Sequence, residues 1–224
     1  MPIVLLIRHG ENDYVRKNRL AGRKPGVHLN EAGHAQAQAV AEILAGAPIK
    51  AVYSSPIERA IETAEPIAQA LKLEVIPRDG LMETDYGDWQ DKTLKSLRRR
   101  KLWKVVQGRP SMARFPQGES FAEAQLRICQ EIQALVAKHG ERDILVCVSH
   151  ADPIKLAVAY FIGMPLDNFQ RLAVSPASIT ALVVGEGFSH LMNLNYNQSF
   201  QLPRPEAPKP RKAPSAGRDK PIRS

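Results

Sequence analysis

The chain has 224 residues, of which 44% are apolar and 24% charged, a composition typical of a globular protein with one core of generous size. Its formal net charge of +8 falls to +3 when residues 203–224 are set aside, because that stretch holds seven Lys/Arg and two Asp/Glu. The charge therefore does not indicate a basic nucleic-acid-binding domain, and no apolar run is long enough to span a bilayer.

The first candidate element lies in residues 3–11, with the sequence Ile-Val-Leu-Leu-Ile-Arg-His-Gly-Glu. A short apolar run rich in β-branched residues predicts a buried central strand. Arg8 and His9 follow at its end, and Gly10 is expected to let the backbone turn sharply there. Because ligands bind beyond the carboxyl ends of strands in open α/β sheets, a cation and an imidazole at this position indicate an anion site with a nucleophile or base beside it.

The next segment, residues 12–28, is polar, basic and interrupted by glycine, which predicts a long loop over this site. Its cations are Arg16, Lys17, Arg19, Arg23 and Lys24. They form either a solvated surface or a basic rim for an acidic substrate, and the pattern favours neither.

Helices and strands alternate through the rest of the chain. The predicted elements are a helix capped by Asn30 and ending before Gly46, a strand at 51–53, a helix at 56–71, a strand at 73–76, a loop at 81–91, a helix at 93–106, a loop at 110–118, a helix at 119–138, a strand at 143–149 and a helix ending near 162.

Two helix starts are predicted within this series. Ser55 and Glu58 have the spacing of a capping box, with Pro56 at the first helical position. Pro66 is expected to kink the same helix or to end its first half. Asp152, which precedes a proline, is expected to cap the helix that follows the strand at 143–149.

Residues 178–184 and 189–194, joined by Gly185-Glu186-Gly187, predict a closing hairpin. The alternation before it predicts an α/β fold, a three-layer sandwich with a mostly parallel central sheet and helices on both faces. We expect residues 1–202 to form one domain. Residues 203–224, rich in Pro, Lys, Arg, Ala and Ser, are predicted to be a disordered basic tail because they hold too little apolar surface to fold.

The two cysteines, Cys129 and Cys147, are too few for a disulfide framework and fall in a helical and a strand pattern. We therefore expect buried free thiols. The residues before Arg8 lack a basic segment followed by a long apolar run, so no secretory signal is predicted and the cytoplasm is the expected location.

Three of the predicted strands end in polar residues: Arg8-His9, Ser54-Ser55 ahead of Arg59, and Ser149-His150. Parallel strands bring these ends to one edge of the sheet, and Arg59 lies in a first helical turn that already favours an anion. Two arginines, two histidines and a helix amino terminus can hold one dianionic phosphoryl group. The sequence has neither a Gly-rich phosphate loop nor a metal-binding His or Cys pattern, so nucleotide triphosphate chemistry and a metal are not predicted.

Several motifs occur together in a recognisable order. They are Leu-Ile-Arg-His-Gly-Glu at 6–11, Leu-Asn-Glu-Ala-Gly at 29–33, Ser-Ser-Pro-x-x-Arg-Ala-x-x-Thr-Ala at 54–64, Leu-x-Glu-x-x-x-Gly-x-Trp at 81–89, Gly-Glu-Ser at 118–120 and Val-Ser-His at 148–150. Over roughly residues 3–195 the chain resembles the histidine phosphatase superfamily, specifically its phosphoglycerate-mutase branch. An isolated Arg-His-Gly would be a weak signal, but the ordered set is specific.

The resemblance implies a reaction without metal or other cofactor, on a small phosphorylated metabolite, through a phosphohistidine. His9 would attack phosphorus, while Arg8, Arg59 and His150 would hold the non-bridging oxygens. Glu83 would donate a proton to the leaving oxygen and then act as base toward water, which requires a raised pKa. The expected substrate-binding residues are Arg8, Arg59, His150, Ala151 and Arg23.

Two positions depart from the family pattern. The family commonly has an asparagine six residues after the nucleophile, where this chain has Val15; Asn12 or Asn18 would substitute, or the pocket has one donor fewer. The glycine expected after the tryptophan loop is Asp91 here, which would alter the mouth of the site.

Phosphomonoester hydrolysis is the favoured activity, because only 66 residues separate Glu83 from His150, as in the shorter phosphatase-type chains that the sequence resembles. Mutase-type phosphoryl transfer, which needs a closed, dry and strongly basic pocket, is the alternative. A catalytically weak phospho-ligand binding module is a different class that Val15 makes conceivable. A nucleic-acid role for residues 203–224 is a third possibility, although nucleic acid is not the expected partner, and the oligomeric state is left open.

Overall fold

The computed structural model describes residues 1–185 and 187–197. Its strands are β1 (Ile3–Arg8), β2 (Ile49–Ser54), β3 (Val75–Pro77), β4 (Ile144–Ser149), β5 (Ile179–Gly185) and β6 (Phe188–Tyr196). They form one sheet in the order β3-β2-β4-β1-β5-β6. The first four strands run parallel, whereas β5 and β6 are antiparallel to their neighbours, so the predicted mostly parallel sheet with a closing hairpin is confirmed.

The helices cover both faces of this sheet. They are α1 (Asp13–Arg16), α2 (Glu31–Leu44), α3 (Glu58–Leu71), α4 (Leu94–Leu97), α5 (Lys101–Gly108), α6 (Phe121–Val136) and α7 (Ala151–Phe161). One buried apolar cluster packs α2 and α3 on the sheet, with Val40 and Ala64 as members. A second cluster packs α6 and α7 on the opposite face, with Ile128 and Ile154 as members. The three-layer sandwich is therefore confirmed.

The register of the central strands brings three chain ends to one edge. Arg8 of β1 pairs with Ser149 of β4, and Ser54 of β2 pairs with Val148 of β4. Because these strands are parallel, the residues that follow each of them emerge side by side. The predicted convergence of the three polar strand ends is thus a direct result of strand pairing.

The predicted capping box at Ser55 and Glu58 is wrong. Helix α3 begins at Glu58, with Ile57 in the cap position. The Ser55 hydroxyl lies 2.9 Å from Nε2 of His150 instead, and the Glu58 carboxylate accepts a hydrogen bond from the backbone N–H of Gly26 at 2.9 Å. Both side chains therefore tie α3 to other segments of the site edge.

Other element boundaries also differ from expectation. Helix α7 begins at Ala151 with His150 as its cap residue, so Asp152 lies in the first turn rather than at the cap. Helix α3 continues through Pro66 to Leu71, so the proline does not end it. The segment predicted as a loop at 12–28 contains α1, and the helix predicted at 93–106 is divided into α4 and α5.

Cys129 and Cys147 are buried free thiols, as expected, and burial raises the pKa of both. In residues 1–185 and 187–197, no helix combines the length and apolar character needed to cross a membrane. Glu186 of the predicted hairpin turn and the predicted tail at 203–224 lie outside the described residues.

Candidate active site

A cavity of about 440 Å³ opens at the edge where β1 and β4 end. Five of the seven predicted site residues line it: Arg8, His9, Arg59, Glu83 and Ala151. The other two lie behind this lining. His150 is fully buried against Arg59, and the guanidinium of Arg23 pairs with the carboxylate of Glu119 at 3.1 Å.

His9 is buried at the end of β1 and has a defined tautomer. Its Nδ1 lies 2.7 Å from the carbonyl oxygen of Gly10. A carbonyl oxygen can only accept, so Nδ1 carries the proton and Nε2 keeps an unprotonated lone pair. Burial, followed by the charges of Arg59 and Arg8, holds the pKa of His9 well below its ordinary value. The ring is therefore a neutral imidazole whose Nε2 can act as a nucleophile.

Arg59 is 1% exposed and joins the two histidines. Its Nε donates to Nε2 of His9 at 3.2 Å, and its Nη2 lies 3.1 Å from Nδ1 of His150. The two imidazole centroids are 5.2 Å apart in an edge contact. Arg59 occupies this position because it lies in the first turn of α3, directly after the end of β2.

The tautomer of His150 follows from the same contact. A guanidinium only donates, so Nδ1 of His150 accepts, and its Nε2–H donates to the Ser55 hydroxyl at 2.9 Å. Burial, followed by the charge of Arg59, lowers the pKa of His150 well below its ordinary value. Ser55 and Arg59 together fix this ring in one orientation.

Three buried donors on the cavity lining have no hydrogen-bond partner among the described residues: Nε of Arg8, Nη1 of Arg59 and Nδ2 of Asn12. Buried polar groups are nearly always paired in native proteins. Unpaired donors on residues that line the same cavity as His9 therefore indicate a site for an anion with several acceptor oxygens. Two of them are guanidinium groups, which suit a phosphoryl group.

Asn12 combines two roles because its two side-chain polar atoms point to different partners. Its Oδ1 accepts a hydrogen bond from the backbone N–H of Val15 at 2.9 Å and so caps α1. Its Nδ2 is buried and has no hydrogen-bond partner among the described residues. Val15, which replaces the family's asparagine, also lines the cavity, and Asn12 offers the amide donor that Val15 lacks.

Glu83 lines the same cavity and is 8% exposed. Burial, followed by the negative charge of Asp152, raises its pKa to about 7, although Arg59 and a hydrogen bond from the Thr84 N–H act in the opposite direction. A carboxyl group with this pKa is partly protonated at neutral pH. It can therefore donate a proton and take one back.

Tyr86 connects Glu83 to Asp152. Its hydroxyl donates to Oδ2 of Asp152 at 2.7 Å and lies 3.4 Å from Oε1 of Glu83. Burial and the two carboxylates raise the pKa of Tyr86 well above its ordinary value, so the phenol stays protonated. The sequence patterns single out neither residue for this role, because Tyr86 lies in an aperiodic segment and the proline after Asp152 predicts a helix cap.

The backbone of Glu83 is held by two arginines. Nε of Arg23 donates to the Glu83 carbonyl oxygen at 2.8 Å, and Nη2 of Arg127 lies 3.4 Å from the same oxygen. Both arginines also pair with Glu119, at 3.1 and 2.6 Å. These contacts tie Arg23 to the loop that carries Glu83, and substrate binding by Arg23 stays a prediction from the sequence.

Gly10 is needed for a close approach rather than for a turn. It does not have a positive φ, but a Cβ atom on Gly10 would lie 2.6 Å from the carbonyl oxygen of Gly33 in α2. A Cβ atom on Gly33 would lie 2.0 Å from the carbonyl oxygen of Glu11. The first turn of α2 therefore packs directly against the segment that follows the nucleophile.

Asp91 adopts a φ of 63°, a left-handed conformation that explains why a glycine is usual at this position. Its carboxylate lies 2.9 Å from Arg19 and 3.0 Å from Lys24, and it accepts a hydrogen bond from the Tyr14 hydroxyl at 2.8 Å. These contacts hold together the segments at the mouth of the cavity.

Within the described part of the chain, no three His, Cys, Asp or Glu side chains are grouped so as to hold a metal ion.

The chain matches the family described as "Histidine phosphatase superfamily (branch 1)" over residues 4–197. A 2,3-bisphosphoglycerate-dependent phosphoglycerate mutase of Thermoplasma acidophilum is 32% identical, over 84% of this chain and 90% of the relative. Phosphoserine phosphatase 1 of Hydrogenobacter thermophilus is 27% identical, over 86% and 91%. A bifunctional protein of Mycobacterium tuberculosis is 34% identical over 79% of this chain, but the chain spans only 49% of its length.

Two solved structures have folds similar to that of this chain. A phosphoserine phosphatase of Entamoeba histolytica, in complex with 3-phosphoglyceric acid, superposes with a TM-score of 0.81 at 28% identity, over 88% of this chain and 98% of that one. A mycobacterial glucosyl-3-phosphoglycerate phosphatase, in complex with VO3, gives a TM-score of 0.80 at 27% identity, over 87% and 99%.

Proposed function

Because this chain belongs to branch 1 of the histidine phosphatase superfamily, we propose that it hydrolyses a phosphomonoester of a small metabolite through a phosphohistidine on His9. One observation carries the proposal. Nε2 of His9 carries no proton, and His9 lines the same cavity as Arg8, Arg59 and Asn12, each of which has an unpaired donor, so an anion held by those side chains would present its central atom to the nucleophile.

The first step transfers the phosphoryl group to the enzyme. Nε2 of His9 attacks phosphorus, the N–P bond forms, and the ester P–O bond breaks. Glu83 gives its proton to the leaving oxygen, so that an alcohol rather than an alkoxide departs. Arg8 and Arg59 offset the charge on the non-bridging oxygens, and their guanidinium groups are in place before substrate arrives.

The second step returns the enzyme to its starting state. The Glu83 carboxylate takes a proton from water, and the water oxygen attacks phosphorus. The N–P bond breaks, its electron pair returns to Nε2 of His9, and inorganic phosphate leaves. A pKa of about 7 suits Glu83 to both steps, because neither protonation state is strongly favoured near neutral pH.

His150 supports this chemistry from behind the lining. Neutral and hydrogen-bonded to Ser55, it accepts from Nη2 of Arg59 and so orients the guanidinium toward the phosphoryl group. Ala151, the first residue of α7, places a helix amino terminus at the cavity, which favours the same anion. We assign Arg23 a positioning role through the Glu83 carbonyl.

Mutase-type transfer is the second candidate, because one relative is named a phosphoglycerate mutase. A mutase must retain the alcohol while the phosphoryl group moves, which requires a closed and dry site. The 440 Å³ cavity opens between α1 and α5 and is far larger than a three-carbon acid needs. Hydrolysis is therefore the better supported activity. Isomerisation of 3-phosphoglycerate faster than its hydrolysis would reverse this preference.

The decisive experiment measures turnover of para-nitrophenyl phosphate by purified protein and by two variants. His9→Ala is expected to lose at least about 10³-fold in kcat/KM, because the nucleophile is gone. His34→Ala, which removes an exposed histidine of α2, is the matched control and keeps full activity. Acid-labile, base-stable phosphate on the wild type but not on His9→Ala identifies the intermediate. Tight phosphate binding without turnover would instead make the chain a phospho-ligand binding module.

We further propose that residues 1–202 are sufficient for catalysis and that the protein works in the cytoplasm, where Cys129 and Cys147 would stay reduced. Deletion of residues 203–224 should leave phosphatase activity unchanged. If that deletion abolishes salt-sensitive binding to DNA or RNA, the tail has a separate nucleic-acid role.

A further inference from the structure

The wall of the cavity beyond the phosphoryl site is aromatic and begins at Glu83. The Tyr86 hydroxyl lies 3.4 Å from Glu83, and the Tyr86 ring contacts Phe115 edge-on at 5.0 Å. Phe115 in turn contacts Trp89 at 5.3 Å, and Trp89 stacks on Trp103 of α5 at 6.1 Å. All four aromatic residues line the cavity.

The position of Glu83 decides which part of the substrate meets this wall. In the proposed reaction Glu83 donates a proton to the leaving oxygen. The alcohol half of the ester must therefore extend along the cavity from Glu83, away from the guanidinium groups of Arg8 and Arg59. The path away from Glu83 follows Tyr86, Phe115, Trp89 and Trp103, with Leu94 and Val106 beside it. Trp103 and Leu94 are only partly buried and offer apolar and π surface to whatever the oxygen carries, while the other four side chains are buried and support them.

The cations of the lining are placed at its two ends, whereas its two acids, Glu83 and Asp152, lie beside the Tyr86 hydroxyl. Arg8 and Arg59 lie at the phosphoryl site, whereas Arg19 and Arg98 lie at the mouth, where both residues are exposed. Arg19 already pairs with Asp91 at 2.9 Å. The carboxylate of a three-carbon amino or hydroxy acid would therefore lie against the aromatic wall and near these two acids, where its desolvation is costly.

The volume of the cavity also favours a substrate larger than a three-carbon acid. A cavity of about 440 Å³ falls within the range of sites that enclose drug-sized ligands. A phosphate with a three-carbon chain would leave most of that space to water in contact with apolar walls. A larger apolar group would displace this water and gain binding energy from remote contacts.

Resting on the proposed hydrolysis, we propose that the natural substrate is a phosphomonoester whose alcohol carries a bulky, flat apolar group such as an aromatic ring. The ring stacks on the accessible face of Trp103, and its linker passes Phe115 to bring the ester oxygen to Glu83. Helix α5 thereby determines substrate specificity, since it contributes both Trp103 and Val106.

The test uses alkyl phosphates of matched leaving-group basicity, so that differences report contacts and not bond strength. The series is ethyl, hexyl and 2-phenylethyl phosphate, with phosphoserine and glycerol 3-phosphate as polar comparisons. We expect kcat/KM to rise along the series, by at least about 30-fold from ethyl to 2-phenylethyl phosphate, because the ring buries apolar surface. A flat series, or a preference for phosphoserine or glycerol 3-phosphate, overturns the proposal.

Variants locate the effect on the wall. Trp103→Ala should reduce the 2-phenylethyl to ethyl ratio by about tenfold, mainly through KM, while Trp103→Phe restores most of it. Tyr160→Ala removes an aromatic ring that is 49% exposed on α7 and outside the cavity, and it should leave the ratio unchanged. If Trp103→Ala lowers the rates for both esters equally, Trp103 is structural and the proposal fails.

The outcome separates the proposal from the function on which it rests. Hydrolysis of every ester at similar kcat/KM contradicts only the aromatic substrate. Binding of 2-phenylethylphosphonate, an analogue that cannot be hydrolysed, gives a readout independent of turnover and should be at least about tenfold tighter than that of ethylphosphonate. If no phosphohistidine forms but 2-phenylethylphosphonate still binds more tightly than ethylphosphonate, only the proposed hydrolysis is contradicted. If the two phosphonates bind equally well, the proposed substrate class is contradicted.

Discussion

Nε of Arg59 lies 3.2 Å from Nε2 of His9, the one ring nitrogen that carries no proton. The guanidinium therefore contacts the nucleophilic lone pair before any phosphoryl group is present. The same cation that lowers the pKa of His9 also stands where charge develops during transfer. In the proposed reaction, activation of the nucleophile and stabilisation of the transition state would thus depend on one side chain.

Arg59→Lys should lower kcat/KM by at least about 100-fold. A lysine carries the charge but cannot contact both imidazoles and a phosphoryl oxygen at once, as the planar fork does. Steady-state kinetics with para-nitrophenyl phosphate measure this loss, and circular dichroism verifies the fold. Activity within fivefold of the wild type would show that charge alone is sufficient.

Glu83→Gln should discriminate between leaving groups. An alkoxide needs a proton to depart, so hydrolysis of alkyl phosphates is expected to fall by about 10²–10⁴-fold. Nitrophenolate leaves unaided, so the first step survives with para-nitrophenyl phosphate, while the second step has lost its base. Stopped-flow kinetics should then show a burst of nitrophenolate followed by slow turnover. Equal losses for both ester types would contradict the proton-donor role.

Asp152→Asn should shift the alkaline limb of kcat/KM toward lower pH. Phosphoryl transfer needs protonated Glu83, so the rate falls as pH rises through its pKa of about 7. The Asp152 charge raises that pKa, so its removal lowers the pKa and the limb moves down by about 0.5–1 unit. Asparagine still accepts from Tyr86, which keeps the local geometry. If the alkaline limb of kcat/KM stays at the same pH, Asp152 does not raise the pKa of Glu83.

Asn12→Asp should separate stability from activity. Aspartate is as good an N-cap as asparagine, so α1 is retained and the thermal midpoint should change little. The new carboxylate oxygen replaces a donor and repels phosphate, which should raise KM by about 100-fold. Asn12→Ser caps α1 without charge and should cost only about tenfold. Equal kinetics for both variants would place Nδ2 of Asn12 outside the anion site.

Gly33→Ala should destabilise the protein by about 1–3 kcal/mol, because its methyl group would meet the backbone carbonyl of Glu11. Gly108→Ala is the matched control: it lies at the end of α5 with open space around the new atom. That substitution should be neutral or slightly stabilising, as expected for alanine in a helix. Chemical denaturation of both variants gives the comparison.

Local patterns were enough to predict the layers and the strand ends. The apolar run before Arg8 and the one before His150 each specify a buried parallel strand, and parallel pairing then forces both residues to one edge. The family motifs add their roles as expectations. The side chains of Arg8, His9, Arg59 and Glu83 accordingly line one cavity, as the sequence predicts.

Tertiary contacts decided what the sequence patterns missed. Ser55 and Glu58 have the spacing of a capping box, but His150 and the Gly26 N–H compete for the same side chains and prevail. Arg23 lies in a run of cations with no local pattern, and its partners come from distant segments. Spacing along the chain cannot report such pairings, because they exist only once the sheet has formed.

The carbonyl oxygen that holds Nδ1 of His9 belongs to the main chain of Gly10. Every residue type supplies that oxygen, so a side-chain exchange elsewhere in the cavity cannot delete it. Reaction and recognition are consequently separable in this scaffold. If α5 contacts the alcohol as proposed, it can change for a new alcohol while the Gly10 carbonyl keeps the His9 ring in the same tautomer.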